Sequence, residues 1–80
     1  MKLPVIKLLV ETYTLEQLTA AEEAILNEQT PAIEIEGNDE GEQLTHAIAA
    51  IEILKDVAEN GTDVRTAMRN YTQRVRNSIS

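Results

Sequence analysis

Leu44-Thr45-His46-Ala47-Ile48-Ala49-Ala50-Ile51-Glu52-Ile53-Leu54-Lys55-Asp56-Val57-Ala58 is the stretch whose reading decides the fold. Its apolar residues fall on nearly every side of a helix, with Thr45, His46, Glu52, Lys55 and Asp56 as the only interruptions. A helix with that pattern has to be buried on several sides. The chain has 80 residues, and a domain of that size buries only about 60–65% of its unfolded surface. The expectation is therefore that a second copy supplies the missing cover, most simply as a homodimer, with Ile48, Ile51, Ile53 and Leu54 carrying the association.

Helical patterns lie on both sides of this segment, so the predicted class is all-α: four helices in one domain, residues 1–80. Pro4 suits a first helical turn, and Leu3, Ile6, Leu9, Val10 and Tyr13 recur at helical spacing, which predicts a short helix ending near Thr12. The rival reading of that segment is a strand, because Val5 and Ile6 are β-branched. Thr14 with Gln17 forms a capping box, and Tyr13 with Leu18 a hydrophobic staple. The second helix should then run to about Gln29, with Leu15, Leu18, Ala21, Ile25 and Leu26 inward and Glu16, Glu23, Asn27 and Glu28 outward. Pro31 stops it.

Ala32-Ile33-Glu34-Ile35-Glu36 alternates apolar and acidic residues at the period of a strand. A lone strand leaves its backbone unpaired. Two solutions follow: Ile33 to Ile35 pair with the same residues of a second copy across a twofold axis, or the segment is an extended linker whose isoleucines fill gaps between helices. The linker is the favoured one. Asp39 with Glu42 starts the long third helix in box-like fashion, and Asn60-Gly61 ends it, glycine supplying the left-handed conformation. Thr62 or Asp63 caps a fourth helix, with Val64, Ala67, Met68, Tyr71, Val75 and Ile79 on one face.

Charge is unevenly spread. The net value is −7, with ten acids against Lys2 and Lys7 over residues 1–42, and four arginines without an acid over 64–80. An acidic chain argues against broad nucleic-acid binding, while its basic end can seek an acidic surface, including that of another copy. Arg65, Arg69, Gln73 and Arg76 form one stripe along the last helix. Two uses compete: pairing with Glu16, Glu23 and Glu28 of the second helix, within one chain or between two, and tracking the phosphates of a polyanion. With Phe and Trp absent, base-stacking platforms are lacking, so pairing with acids is favoured and nucleic acid is the alternative.

Little in the chain suggests chemistry. His46 is the only histidine; Glu42, one turn earlier, shares its face at a spacing two metal ligands use. The paired glutamate-histidine spacing of di-iron bundles is missing, since Gln43 stands where the glutamate belongs. The simpler reading packs His46 inside the third helix, bonded to Glu42 or Thr45, with a small metal site at Glu42 and His46 as the alternative. The acids Glu34, Glu36, Asp39, Glu40 and Glu42 lack the ligand spacing of a calcium loop and read as a solvated, helix-capping turn. Ser78 and Ser80 sit in no strand-turn-helix elbow, and there is no glycine-rich phosphate loop. No cofactor and no catalytic group are expected, so an enzyme acting alone is not the reading. Cysteine is absent, and Pro4 and Lys7 break the opening apolar run, which argues against a signal peptide or membrane span and for a cytoplasmic setting.

Met1-Lys2-Leu3-Pro4-Val5-Ile6, Leu9-Val10-Glu11-Thr12-Tyr13, Gly41-Glu42-Gln43-Leu44-Thr45-His46-Ala47 and Tyr71-Thr72-Gln73-Arg74-Val75-Arg76-Asn77-Ser78 resemble a family of short, acidic, uncharacterised proteins of Bacteroidota bacteria. The resemblance spans most of the chain. It implies no activity and transfers no functional residues, and it implies at most a role beside thioredoxin-like proteins, as a partner to thiol chemistry. The function expected is that of a self-associating interaction or accessory module.

Overall fold

Most helix ends fall where local backbone chemistry places them in the computed structural model, which describes residues 2–79. α1 spans Leu3–Thr12, with Pro4 in its first turn, where a missing N–H costs nothing. The strand reading of this segment therefore falls. α2 spans Leu15–Leu26 and opens on the full capping box: Thr14 Oγ1 accepts the Gln17 N–H at 3.1 Å, and Gln17 Oε1 accepts the Thr14 N–H at 2.9 Å.

α2 ends three residues earlier than the sequence suggests. Glu28 takes the left-handed conformation, φ 58°, and the chain closes the helix with two backbone bonds, Gln29 N–H to the Ala24 carbonyl at 2.8 Å and Glu28 N–H to the Ile25 carbonyl at 3.1 Å. These are the paired bonds of a Schellman closure, here built without glycine. Leu26, expected inward, is consequently 61% exposed.

α3 spans Glu40–Asn60. Asp39 Oδ1 accepts the Glu42 N–H at 2.7 Å, and Gly61 closes the far end at φ 65°. α4 spans Val64–Ile79, capped by Asp63, whose Oδ1 accepts the Thr66 N–H at 2.7 Å. Ala67 of α4 is fully buried, and Val64, Met68 and Tyr71 pack partly against the core. The side chain of Ile79 lies outside the described residues.

α3 is the central element: α1, α2 and α4 each pack against it. Its buried residues, His46, Ala47, Ala49, Ala50, Ile51 and Ile53, cover an arc of about 200° at roughly 100° per residue. Three helices of the same chain suffice to cover that arc. The expectation that a second polypeptide must shield α3 is corrected on this point, because Ile51 and Ile53 are 5% and 1% exposed within one chain and Leu54 is half-buried against the same core. The physical reason is side-chain size. Four of the ten apolar positions are alanines, and Ala47, Ala49 and Ala50, fully buried, let neighbouring helices approach α3 closely and need little surface to cover them. Ile48 alone of the association candidates on α3 faces outward, at 38% exposure.

Residues 32–36 form no strand; none occurs among the described residues. The alternation is nonetheless real. Ile35 is buried and Ile33 half-buried against the core, while Glu34 and Glu36 are exposed. Within the chain the segment is the extended linker, with its isoleucines packed on the chain's own core. Gly37 lets it pass the first turn of α3, since a Cβ there would sit 2.8 Å from the Gln43 backbone nitrogen. Among the described residues no helix is long and apolar enough to cross a membrane.

Candidate functional site

His46 is completely buried, and both its ring nitrogens are engaged. Nε2 accepts the backbone N–H of Lys2 at 2.9 Å, and Nδ1 lies 2.7 Å from the carbonyl oxygen of Glu36. A carbonyl can only accept and an amide N–H can only donate, so the ring is neutral, with its proton on Nδ1. The imidazole thus joins three segments: the start of α1, the linker, and α3. It also takes the place of a side-chain cap at α1, where Lys2 provides none.

The sequence reading buried His46 correctly but gave it the wrong partners. Glu42 Oε1 accepts the Asn38 N–H at 2.8 Å, and Thr45 Oγ1 donates to the Gly41 carbonyl at 2.9 Å. The Asn38 N–H holds the Glu42 carboxyl below its usual value, against a smaller opposing effect of desolvation and with help from Lys2. Glu42 and His46 thus direct these hydrogen bonds to different backbone groups, and the Nε2 lone pair that a metal would need is already given to Lys2. Among the described residues no cluster of three or more histidine, cysteine or acidic side chains is placed to hold a metal ion. In the acidic turn, Asp39 and Glu42 serve the α3 cap while Glu34, Glu36 and Glu40 are exposed.

Arg65, Arg69, Gln73 and Arg76 are all exposed on α4. The pairing with Glu16, Glu23 and Glu28 within one chain is not formed among the described residues, because α4 docks on α3 and α2 lies on another side of it. Arg69, Gln73 and Arg76 instead border a groove whose other walls are Leu3, Met68 and Thr72. A second groove, on the other flank of α1, is lined by Val5, Leu8, Leu9, Thr12 and Tyr13 and edged by Glu34 and Glu36. α1 is thus a ridge between an arginine-edged groove and a glutamate-edged one.

A polar cluster at the α3–α4 junction went unnoticed in the sequence. Asp56 accepts hydrogen bonds from Asn60 Nδ2 at 2.7 Å and, more loosely, from Thr62 Oγ1 and Asn70 Nδ2, each at 3.4 Å. These bonds, led by that of Asn60, lower the Asp56 pKa. Nearby, burial raises the pKa of the Tyr71 phenol, reinforced by Glu52 and opposed by Arg74, whose guanidinium lies 5.8 Å from the ring centre. The cluster ties the two helices at their shared turn. Its one sequence signal is Asp56 breaking the apolar run with Asn60 one turn later.

The chain belongs to a family of unknown function, DUF6952, whose model matches residues 1–80. No curated protein and no solved structure matches it.

Proposed function

We propose that this chain, from a family without an assigned activity, is an interaction module that self-associates, most simply as a dimer, and acts through the surfaces it presents. The observation that carries the reading is the apolar surface left outside a core the chain closes for itself. Leu3 and Leu8 are 43% and 56% exposed on α1, and each lines a groove instead of standing alone. A single exposed leucine is ordinary; what supports the reading is that each of these sits in a groove with further apolar lining that a partner can cover together with it. Ile48 adds a smaller apolar site on the outer face of α3.

Light scattering and sedimentation across a dilution series test the proposal. The expected result is a mass approaching twice 8.9 kDa at high concentration, falling toward the single-chain value on dilution. A mass that stays at one chain throughout overturns self-association.

A second reading is favoured by one observation, the exposure of Arg65, Arg69 and Arg76 along a single helix that, among the described residues, docks on α3 and forms no ion pair with the acids of α2. Such a stripe suits a polyanion. Binding to a labelled oligonucleotide that weakens steeply with salt supports it; no binding at low salt ends it.

A further inference from the structure

We infer that a second copy of this chain docks on the outer side of α1, the glutamate-edged groove of each copy meeting the arginine-edged groove of the other. The inference rests on the self-association reading and specifies its surface. Val5, Ile6, Leu9 and Val10 turn α1 toward the core. At roughly 100° per residue, the opposite side is centred on Pro4, Lys7 and Glu11, with Leu3 and Leu8 on its two shoulders. Each leucine opens onto its own groove: Leu3 beside Met68 and Thr72 with Arg69 and Arg76, Leu8 beside Leu9 and Tyr13 with Glu34 and Glu36.

Charge complementarity chooses the occupant. The two grooves pair an apolar floor with edges of opposite sign, and both are repeated on every copy of the chain. A twofold axis lying in the interface over the crest of α1 brings α1 against α1 of the second copy and sets each groove opposite its counterpart twice, so that the charged edges meet across the contact, which closes the assembly at two copies. Pairing like with like would oppose Glu34 and Glu36 to themselves and Arg69 and Arg76 to themselves. That arrangement is repelled. A partner carrying only one sign of charge would satisfy only one groove, whereas a second copy satisfies both.

The experiment uses the full chain, with circular dichroism confirming that each variant stays helical; Leu8, Glu34 and Arg69 are all exposed, so the substitutions leave the core intact. Sedimentation equilibrium is run on wild type, Leu8→Glu, Arg69→Glu, Glu34→Arg and the double variant Glu34→Arg/Arg69→Glu. The expected result is a dimer in wild type, weakened about tenfold or more by each single change, since every reversal occurs twice across a twofold. The double variant should recover most of the affinity, and added salt should weaken the wild-type dimer. A wild-type chain that is monomeric at every concentration overturns this inference together with the self-association reading. A wild-type dimer indifferent to all three single changes overturns the inference alone and moves the contact to another face, such as that around Ile48. Single reversals that weaken the dimer without rescue in the double variant overturn the pairing of the two grooves.

Discussion

Replacing His46 with phenylalanine keeps most of the ring's volume and removes both of its hydrogen bonds, which isolates what the imidazole contributes. The Lys2 N–H and the Glu36 carbonyl lose their partners. A buried polar group left unsatisfied costs about 1–3 kcal/mol. Both bonds here are only partly buried, so water recovers some of that, and about 2 kcal/mol for the two together is the expected loss. An 80-residue fold has a total stability of roughly 4–12 kcal/mol. With a urea dependence of about 1 kcal/mol per molar for a chain this small, the unfolding midpoint should drop by about 2 M. Two further variants divide the effect. His46→Asn keeps a donor near the position of Nδ1 and gives up Lys2, while His46→Gln places an acceptor near Nε2 and gives up Glu36. Each should lose about half as much as phenylalanine. Urea unfolding followed by circular dichroism measures the midpoints, and nitrogen-15 spectra of the ring report where its proton resides. A phenylalanine variant that unfolds with wild type, or a ring protonated on Nε2, would refute the account of His46 as the joint between α1, the linker and α3.

Glu28→Gly should raise stability by about 0.5–1 kcal/mol: left-handed geometry costs an L-residue roughly 1–2 kcal/mol, and glycine returns about half of that through its greater freedom when unfolded. A lower melting temperature in this variant would show that the φ of 58° at Glu28 carries no strain. Ile51→Glu, which places a carboxylate at a position 5% exposed inside the core, should leave the chain unfolded, whereas a folded monomer would mean that Ile51 belongs to an interface. Asp63 and Glu42 have lowered pKa values in the fold, chiefly through the N–H groups of Thr66 and Asn38. Their stabilisation is present above the ordinary carboxylate range and is lost as pH falls through the lowered values. Unfolding midpoints should therefore decline on acidification, and Asp63→Asn, which retains a capping oxygen without titrating, should decline less; equal slopes would count against the assignment.

The helix boundaries that could be read from the sequence were those written in short-range chemistry. Thr14 with Gln17, Asp39 with Glu42, Asp63 and Gly61 each act within four residues, so residue type and spacing are enough to place them. The end of α2 could not be read this way, because glutamate is no signal for a left-handed closure and Glu28 adopts it only as the chain turns toward Pro31. The period-two pattern of residues 32–36 was legible as a surface with two faces. Whether its backbone would find a partner depends on what lies beside it, which no five-residue window contains.

Counting apolar letters around α3 overstated its need for cover, since the hydrophobic effect scales with area and not with the number of residues. A helix in which Ala47, Ala49 and Ala50 occupy the buried arc exposes little beyond its own backbone, and close approach of α1, α2 and α4 hides it. The same packing ties His46 to the surface. α1 is a short helix held inward by Val5, Ile6, Leu9 and Val10 and fastened at its start by a ring from the middle of the chain, 44 residues away. Because α1 is fixed in this way, Leu3 and Leu8 are held on its shoulders as parts of two formed grooves. The case for a partner therefore passes from the centre of the chain, which is dry without help, to a thin outer helix whose position depends on His46.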